Sequence, residues 1–353
     1  MTGEPARVLL VDDSAFMRRA AARMLEPMLP AVRVAGTAAN GVEALERVRE
    51  LRPDLVIMDV EMPGVGGLEA LRRIMAECPT PVLLLSSHTR AGADVTLRAL
   101  EAGAVDFVDK GGAATSMDIH SLAPLLREKV AAILAARAPH AAAAAGPAHR
   151  ALDGRAAAGE TRAGHYQVVA IGTSTGGPRA LAEVIPALPA GLAAGVVVAQ
   201  HMPAGFTETL AERLDRRSRL RVSEAKDGDE VRPGRVLIAP GGRQMAVERG
   251  GGDLRVRVWD DDTRLHRPSV DTLFASVAQA APGRSVGVVL TGMGSDGAEG
   301  LRLIREGGGR GLVESAESAV IDGMPGAARA VAERSLPLCD IARAVAELCG
   351  ELP

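Results

Sequence analysis

The chain reads as two successive α/β domains, each a doubly wound and mostly parallel sheet. Three observations lead there. Short, largely apolar runs (Val8 to Val11, Leu55 to Met58, Val82 to Leu85, Val105 to Val108) alternate with helical patterns such as Val42, Leu45, Val48 and Leu51, as in a parallel sheet covered by helices. The same alternation returns in QVVAI (167–171), GVVVAQ (195–200), RVLIA (235–239) and SVGVVLT (285–291). Between the two blocks, residues 135–165 are rich in Ala, Gly, Arg and Pro and almost devoid of large apolar side chains, which reads as a flexible tether. The expected division is therefore 1–134, a tether at 135–165, and 166–353. LRVRVWDD (254–261) departs from the pattern by alternating apolar and charged residues, so an exposed edge strand or hairpin is expected there.

Bulk properties narrow the function. A length of 353 residues with 47% hydrophobic composition is enough to bury two cores. Cys78, Cys339 and Cys349 are too few and too widely spaced for a disulfide framework or a zinc site. No apolar run approaches the roughly 18 residues of a membrane helix, so a soluble, cytoplasmic monomer is expected. Residues 1–135 hold 18 acidic and 15 basic side chains and the remainder 26 of each, so nucleic acid is not an expected partner. Only Lys110, Lys129 and Lys226 are lysines among 41 basic residues, which makes the position of each informative.

In an open parallel sheet, functional groups gather where strands end at their carboxyl edge. In the first block those ends carry Asp12 and Asp13, then Asp59, then Ser86 and Ser87, then Lys110. Any one of these fits a cap, a turn or a solvated lysine. Together, clustered carboxylates call for a hard divalent cation such as Mg²⁺. Asp59 is then placed to attack a phosphoryl donor, with the metal and Lys110 neutralising the transferred oxygens. Lysine in a chain that prefers arginine favours a point-charge phosphate contact. From residue 6 to about 130 the sequence resembles the receiver domain of two-component response regulators, a (βα)5 fold. The resemblance implies Asp59 as phosphoacceptor, Asp12 and Asp13 as metal-binding acids, Ser86 as the hydroxyl that follows the phosphoryl group, Phe107 as the aromatic switch and Lys110 as the phosphate contact. Receivers usually have Pro after that lysine, whereas this chain has Gly111.

The second block opens with strand, tight turn and helix around GTSTGGP (172–178). Gly172, Ser174 and Gly176 satisfy G-x-S-x-G, whose small flanking residues expose a serine beside a helix N-terminus, where backbone N–H groups stabilise an oxyanion. A Gly-rich turn of this kind also suits a phosphate, so the serine needs a base. His201 follows the strand GVVVAQ, and Asp296, in TGMGSDG after SVGVVLT, is placed to orient the imidazole. His266, in HRPSVD, is the rival base, but it follows a charged hairpin and reads as substrate-lining or structural. The order Ser, His, Asp differs from the Ser, Asp, His order of α/β hydrolases.

Residues 167 to about 348 resemble the catalytic domain of the chemotaxis protein-glutamate methylesterase family, through GTSTGGP, QHMPAGFTETLAERL, VLIAPGGRQM, HRPSVDTLF and TGMGSDG. The resemblance implies Ser174 as nucleophile, His201 as base, Asp296 as its orienting acid, and Thr175 and the Met293 backbone near the oxyanion. It also implies demethylation of glutamyl methyl esters, and deamidation of glutamines, on the cytoplasmic helices of chemoreceptors, without a cofactor for the esterase and with a histidine kinase as phosphodonor. Two departures stand out: Gln244 where the family commonly has His, and AESAVIDGMP (316–325) without the usual Cys and aromatic. A nucleotide-binding regulator is disfavoured by the lack of G-x-G-x-x-G, and a transcription regulator by the neutral α/β C-terminal half.

Overall fold

The computed structural model describes residues 4–87, 89–111, 116–140, 166–261 and 263–350. The first sheet has five parallel strands, β1 (Ala6–Val11), β2 (Val32–Ala38), β3 (Leu55–Asp59), β4 (Val82–Ser86) and β5 (Asp106–Asp109), in the order β2-β1-β3-β4-β5. Helices α1 (Ala15–Leu25), α2 (Gly41–Leu51), α3 (Gly67–Glu77), α4 (Arg90–Glu101) and α5 (Ser116–His140) connect and cover it. Helix starts follow local chemistry: the Asn40 side chain accepts the Val42 and Glu43 N–H groups, and Glu43 reaches back to the Ala39 N–H. β3 and β4 are buried at every residue and β1 at its last four, which accounts for their continuous apolar runs. β2 was not legible because it is the edge strand, with Arg33, Gly36 and Thr37 interrupting any apolar pattern. The helix α5 runs through His140, so the first six residues of the expected tether continue it, in keeping with alanine's high helix propensity. The rest of that tether, 141–165, lies outside the described residues.

The second sheet is also parallel throughout. Its strands are β6 (Val168–Thr173), β7 (Gly195–Gln200), β8 (Arg221–Glu224) and β9 (Arg235–Ile238), followed after a hairpin by three more. The hairpin, β10 (Gln244–Gly250) and β11 (Asp253–Trp259), is antiparallel and separate from the main sheet, with Leu254, Val256 and Val258 buried and Arg255 and Arg257 exposed. β12 (Ser285–Val289), β13 (Arg310–Glu314) and β14 (Arg334–Leu336) complete the order β14-β13-β12-β6-β7-β9-β8. The covering helices are α6 (Gly177–Ala187), α7 (Phe206–Asp215), α8 (Val270–Ala280), α9 (Ala298–Glu306), α10 (Gly323–Ala328) and α11 (Leu338–Leu348). Among the described residues no helix is long and apolar enough to cross a membrane.

The two sheets are joined through α4, β5 and α5 of the first. The rings of Phe107 (β5) and Phe206 (α7) stack with centroids 4.6 Å apart. Beside them Arg213 of α7 reaches Asp94 at 2.9 Å and Glu101 at 2.5 Å on α4, and Arg90 reaches Glu212 at 2.6 Å.

Candidate active site and acidic pocket

At the carboxyl edge of the first sheet, Asp12, Asp13 and Asp59 bring carboxylate oxygens within 4.8 Å of one another. Lys110 Nζ donates to Asp59 Oδ2 at 2.8 Å, and the Glu61 N–H donates to Asp59 Oδ1. Burial pushes the Asp12 carboxyl up to about 6, and the neighbouring Asp59 charge adds to the shift against the Ser14 N–H. One oxygen of Asp12, Oδ2, is buried without a hydrogen-bond partner. An all-oxygen donor set with an orphaned buried carboxylate oxygen suits a hard divalent cation. The Ser86 hydroxyl is buried and lies 2.5 Å from Thr96 Oγ1, and Phe107 is buried at the junction of the domains. Gly111 has φ +61, a conformation closed to proline, so the chain leaves Lys110 along a different path from the Lys-Pro form.

The second site lies at the carboxyl edge of the other sheet. Ser174 follows β6, and its turn is tight for stated reasons: Gly176 has φ +80, and a Cβ on Gly177 would collide with Gln200 Oε1. His201 follows β7, the neighbouring strand, and its Nε2 lies 2.8 Å from Asp296 Oδ2. Asp296 sits at the N-terminus of α8, where it accepts the Val270 and Asp271 N–H groups, each at 2.8 Å, and the Ser269 hydroxyl. Burial alone would raise its pKa, but the hydrogen bond and charge of His201, with those two N–H groups, hold it well below the usual carboxylate range. Asp271 in turn accepts the Gly297 and Gly300 N–H groups, so each acid anchors the loop bearing the other.

Ser174, Thr175, His201, His266 and Met293 all line one cavity of about 400 Å³. Among the described residues no direct hydrogen bond joins Ser174 to His201. Because Asp296 occupies Nε2, the remaining ring nitrogen of His201 is Nδ1. His266 stacks flat on His201 with centroids 4.2 Å apart, and burial, then the proximity of His201, lowers its pKa. It walls the cavity, and His201, not His266, is the histidine on Asp296. Gln244 is buried and holds the 266–269 loop, donating to the His266 carbonyl and accepting the Ser269 N–H. Gly292, next to Met293, passes so close that a Cβ there would sit 2.8 Å from Ser174 Cβ.

Sequence reasoning missed the supports of this site. Gln200 Nε2 donates to the carbonyls of Ser174 and His201, and the Thr291 hydroxyl donates to the Thr175 carbonyl in the turn that bears Ser174. Ser269 and Asp271 carried a visible signal as a cap and a first-turn acid of α8. The contact across the domains carried none. Asp106 of β5 takes a hydrogen bond from the Thr175 hydroxyl at 2.5 Å and pairs with Lys129 of α5. Phe107, Asp109, Leu125, Glu128 and Lys129 of the first domain form a wall of the cavity.

Residues 169–345 match the CheB methylesterase family model, and residues 8–119 match that of the response regulator receiver domain. The protein-glutamate methylesterase/protein-glutamine glutaminase of Symbiobacterium thermophilum is 47% identical, over 98% of this chain and 98% of that one. Its counterpart in Alkalilimnicola ehrlichii is 43% identical over 97% and 99%. The crystal structure of the Thermotoga maritima CheB methylesterase catalytic domain is 40% identical, covers 52% of this chain and 98% of that one, and superposes with a TM-score of 0.51. With both domains matched and near-complete coverage of its relatives, the chain belongs to the CheB methylesterase family, as a hydrolase preceded by a response regulator receiver domain.

Proposed function

We propose that the chain hydrolyses glutamyl methyl esters, and deamidates glutamines, on the cytoplasmic helices of chemoreceptors, using Ser174, His201 and Asp296 and under control of phosphorylation at Asp59. The observation that carries the reading is the 2.8 Å contact of His201 Nε2 with Asp296 on the wall of the cavity that also holds Ser174. His201 Nδ1 takes the Ser174 proton as Oγ attacks the ester carbonyl, and returns it to the departing methanol. Water, deprotonated by the same nitrogen, then cleaves the acyl-enzyme and leaves glutamate. Asp296 keeps Nε2 protonated and stabilises the imidazolium. The Thr175 turn and the backbone at Met293, which line the same cavity, supply the proposed donors to the oxyanion. Methanol release from methylated receptor, measured by headspace analysis, tests the reading directly.

In the receiver, Asp12, Asp13 and Asp59 would hold Mg²⁺, which when bound neutralises the oxygens of the transferred phosphoryl group. Asp59 is the attacking carboxylate, Lys110 contacts the phosphoryl group, Ser86 follows it and Phe107 responds to it. A histidine kinase is the donor in the cell. With acetyl phosphate, labelling is expected on Asp59 alone, to require Mg²⁺ and to disappear in Asp59→Asn. Stoichiometric labelling of that variant at another acid would sink the assignment.

Control follows from the wall that the receiver contributes to the cavity. Docked in this way it obstructs a helical substrate and holds the Thr175 hydroxyl on Asp106. Phosphorylation need only favour the undocked state by about 1.4 kcal/mol for tenfold activation. Arg213→Glu sets like charges against Asp94 and Glu101, so this variant is expected to demethylate receptors several-fold faster than wild type without phosphodonor. Unchanged basal turnover, with phosphodonor activation intact, would count against docking as the restraint.

A further inference from the structure

Glu314, the last residue of β13, is completely buried, and burial raises its pKa. Among the described residues its carboxylate meets no cation; it accepts the Thr291 N–H at 2.8 Å on one oxygen and the Ser318 hydroxyl at 3.0 Å on the other. The location explains the expense of a buried acid. The ladder between β12 and β13 ends at Val289 and Val313, so Thr291 N–H lies past the last strand pairing and finds its acceptor in a side chain.

Thr291 in turn touches three consecutive residues of the nucleophile turn. Its carbonyl accepts the Ser174 N–H at 3.0 Å and the Thr173 hydroxyl at 2.8 Å, and its hydroxyl donates to the Thr175 carbonyl at 2.9 Å while accepting the Ile321 N–H. Resting on the reading of Ser174 as the nucleophile, we propose that Glu314 is a positioning residue for the reaction, fixing the height and direction of Ser174 through Thr291. It touches no substrate. Its work is to hold, by a hydrogen bond from the Thr291 N–H, the residue whose carbonyl and hydroxyl carry the serine turn.

The test uses the full-length phosphorylated protein and two readouts: methanol release from methylated receptor, and the rate at which a fluorophosphonate labels Ser174. Glu314→Gln retains an acceptor for Thr291 N–H and should keep both rates within about twofold of wild type. Glu314→Leu leaves that N–H buried and unpaired, and a nucleophile displaced by even 1 Å loses on the order of a hundredfold. The loss should fall on kcat and on labelling, with KM little changed. A folded Glu314→Leu protein with wild-type kcat overturns the proposal, and so does a Glu314→Gln protein as impaired as Glu314→Leu. Should Glu314→Leu fail to fold, Glu314→Asp decides: it keeps the carboxylate but is one methylene too short to reach the Thr291 N–H, and an unchanged kcat and labelling rate overturn the proposal. A wild-type protein that is labelled at Ser174 yet releases no methanol contradicts the receptor assignment instead, and the labelling rates still test Glu314.

Discussion

Replacing Ser174 with alanine is expected to lower methanol release by on the order of a million-fold, because a triad that loses its nucleophile retains only binding and oxyanion stabilisation. The neighbouring hydroxyl does not compensate. Thr175 is buried, with its Oγ1 committed to Asp106 in the docked arrangement, whereas Ser174 is half-exposed in the cavity beside His201. The turn should survive the change, since its geometry rests on backbone groups: Ser174 N–H on the Thr291 carbonyl, and the Ser174 carbonyl on Gln200 and the Gly177 N–H. Thermal melts of the variant should therefore overlay those of wild type. Turnover near the wild-type value in a pure, folded Ser174→Ala sample would remove this residue from the mechanism.

Asp296→Asn is the second large effect, expected near ten-thousandfold in kcat, the scale set by loss of the acid that fixes a catalytic imidazole's tautomer. Four donors converge on the Asp296 carboxylate: His201, the N–H groups of Val270 and Asp271, and the Ser269 hydroxyl. An amide offers only one oxygen to them, and its NH₂ must face a donor. Unlike Ser174→Ala, this variant should also melt at lower temperature. The sign with pH follows from the depressed pKa of Asp296. The stability it supplies is present at neutral pH, above the ordinary carboxylate value, and is lost as pH falls through its lower folded value. Wild type and variant should thus converge in stability under acid, and a constant gap down to strongly acidic pH would show that the carboxylate charge is not what the helix end holds.

Much of this architecture was legible because function and strand ends coincide. Asp59, Lys110, Ser174 and His201 each sit within three residues of the end of a short, largely apolar run, where a polar side chain in a fixed place stands out. β2, β8 and β14 were not legible: they are edge strands, two of them only four and three residues long, with little buried surface to impose an apolar pattern. Glu314 escaped for a different reason. It closes RGLVE as an ordinary charged residue would, and only the placement of Thr291 across the sheet shows what it holds. The junction of Asp106 with Thr175 pairs residues 69 positions apart on separate folding units, and nothing in either local sequence encodes a partner.

The strand order of the second sheet gives the order of the proposed reacting groups a simple meaning. β6 lies between β12 and β7, so the loops bearing Asp296 and His201 flank the one bearing Ser174, and the loop after β12 reaches across to set Asp296 on His201, although one neighbouring strand follows β6 in the chain by a single crossover and the other by several. Serine, histidine and aspartate appear in that order along the polypeptide because of how the loops at the opposite edge connect the strands, and not because of any chemical demand. A circularly permuted chain, opened at a surface loop on the amino edge and rejoined through its old ends, would list the three residues in another order yet present the same face. Motif order is thus a record of connectivity, while spatial adjacency at the carboxyl edge is the property that chemistry constrains.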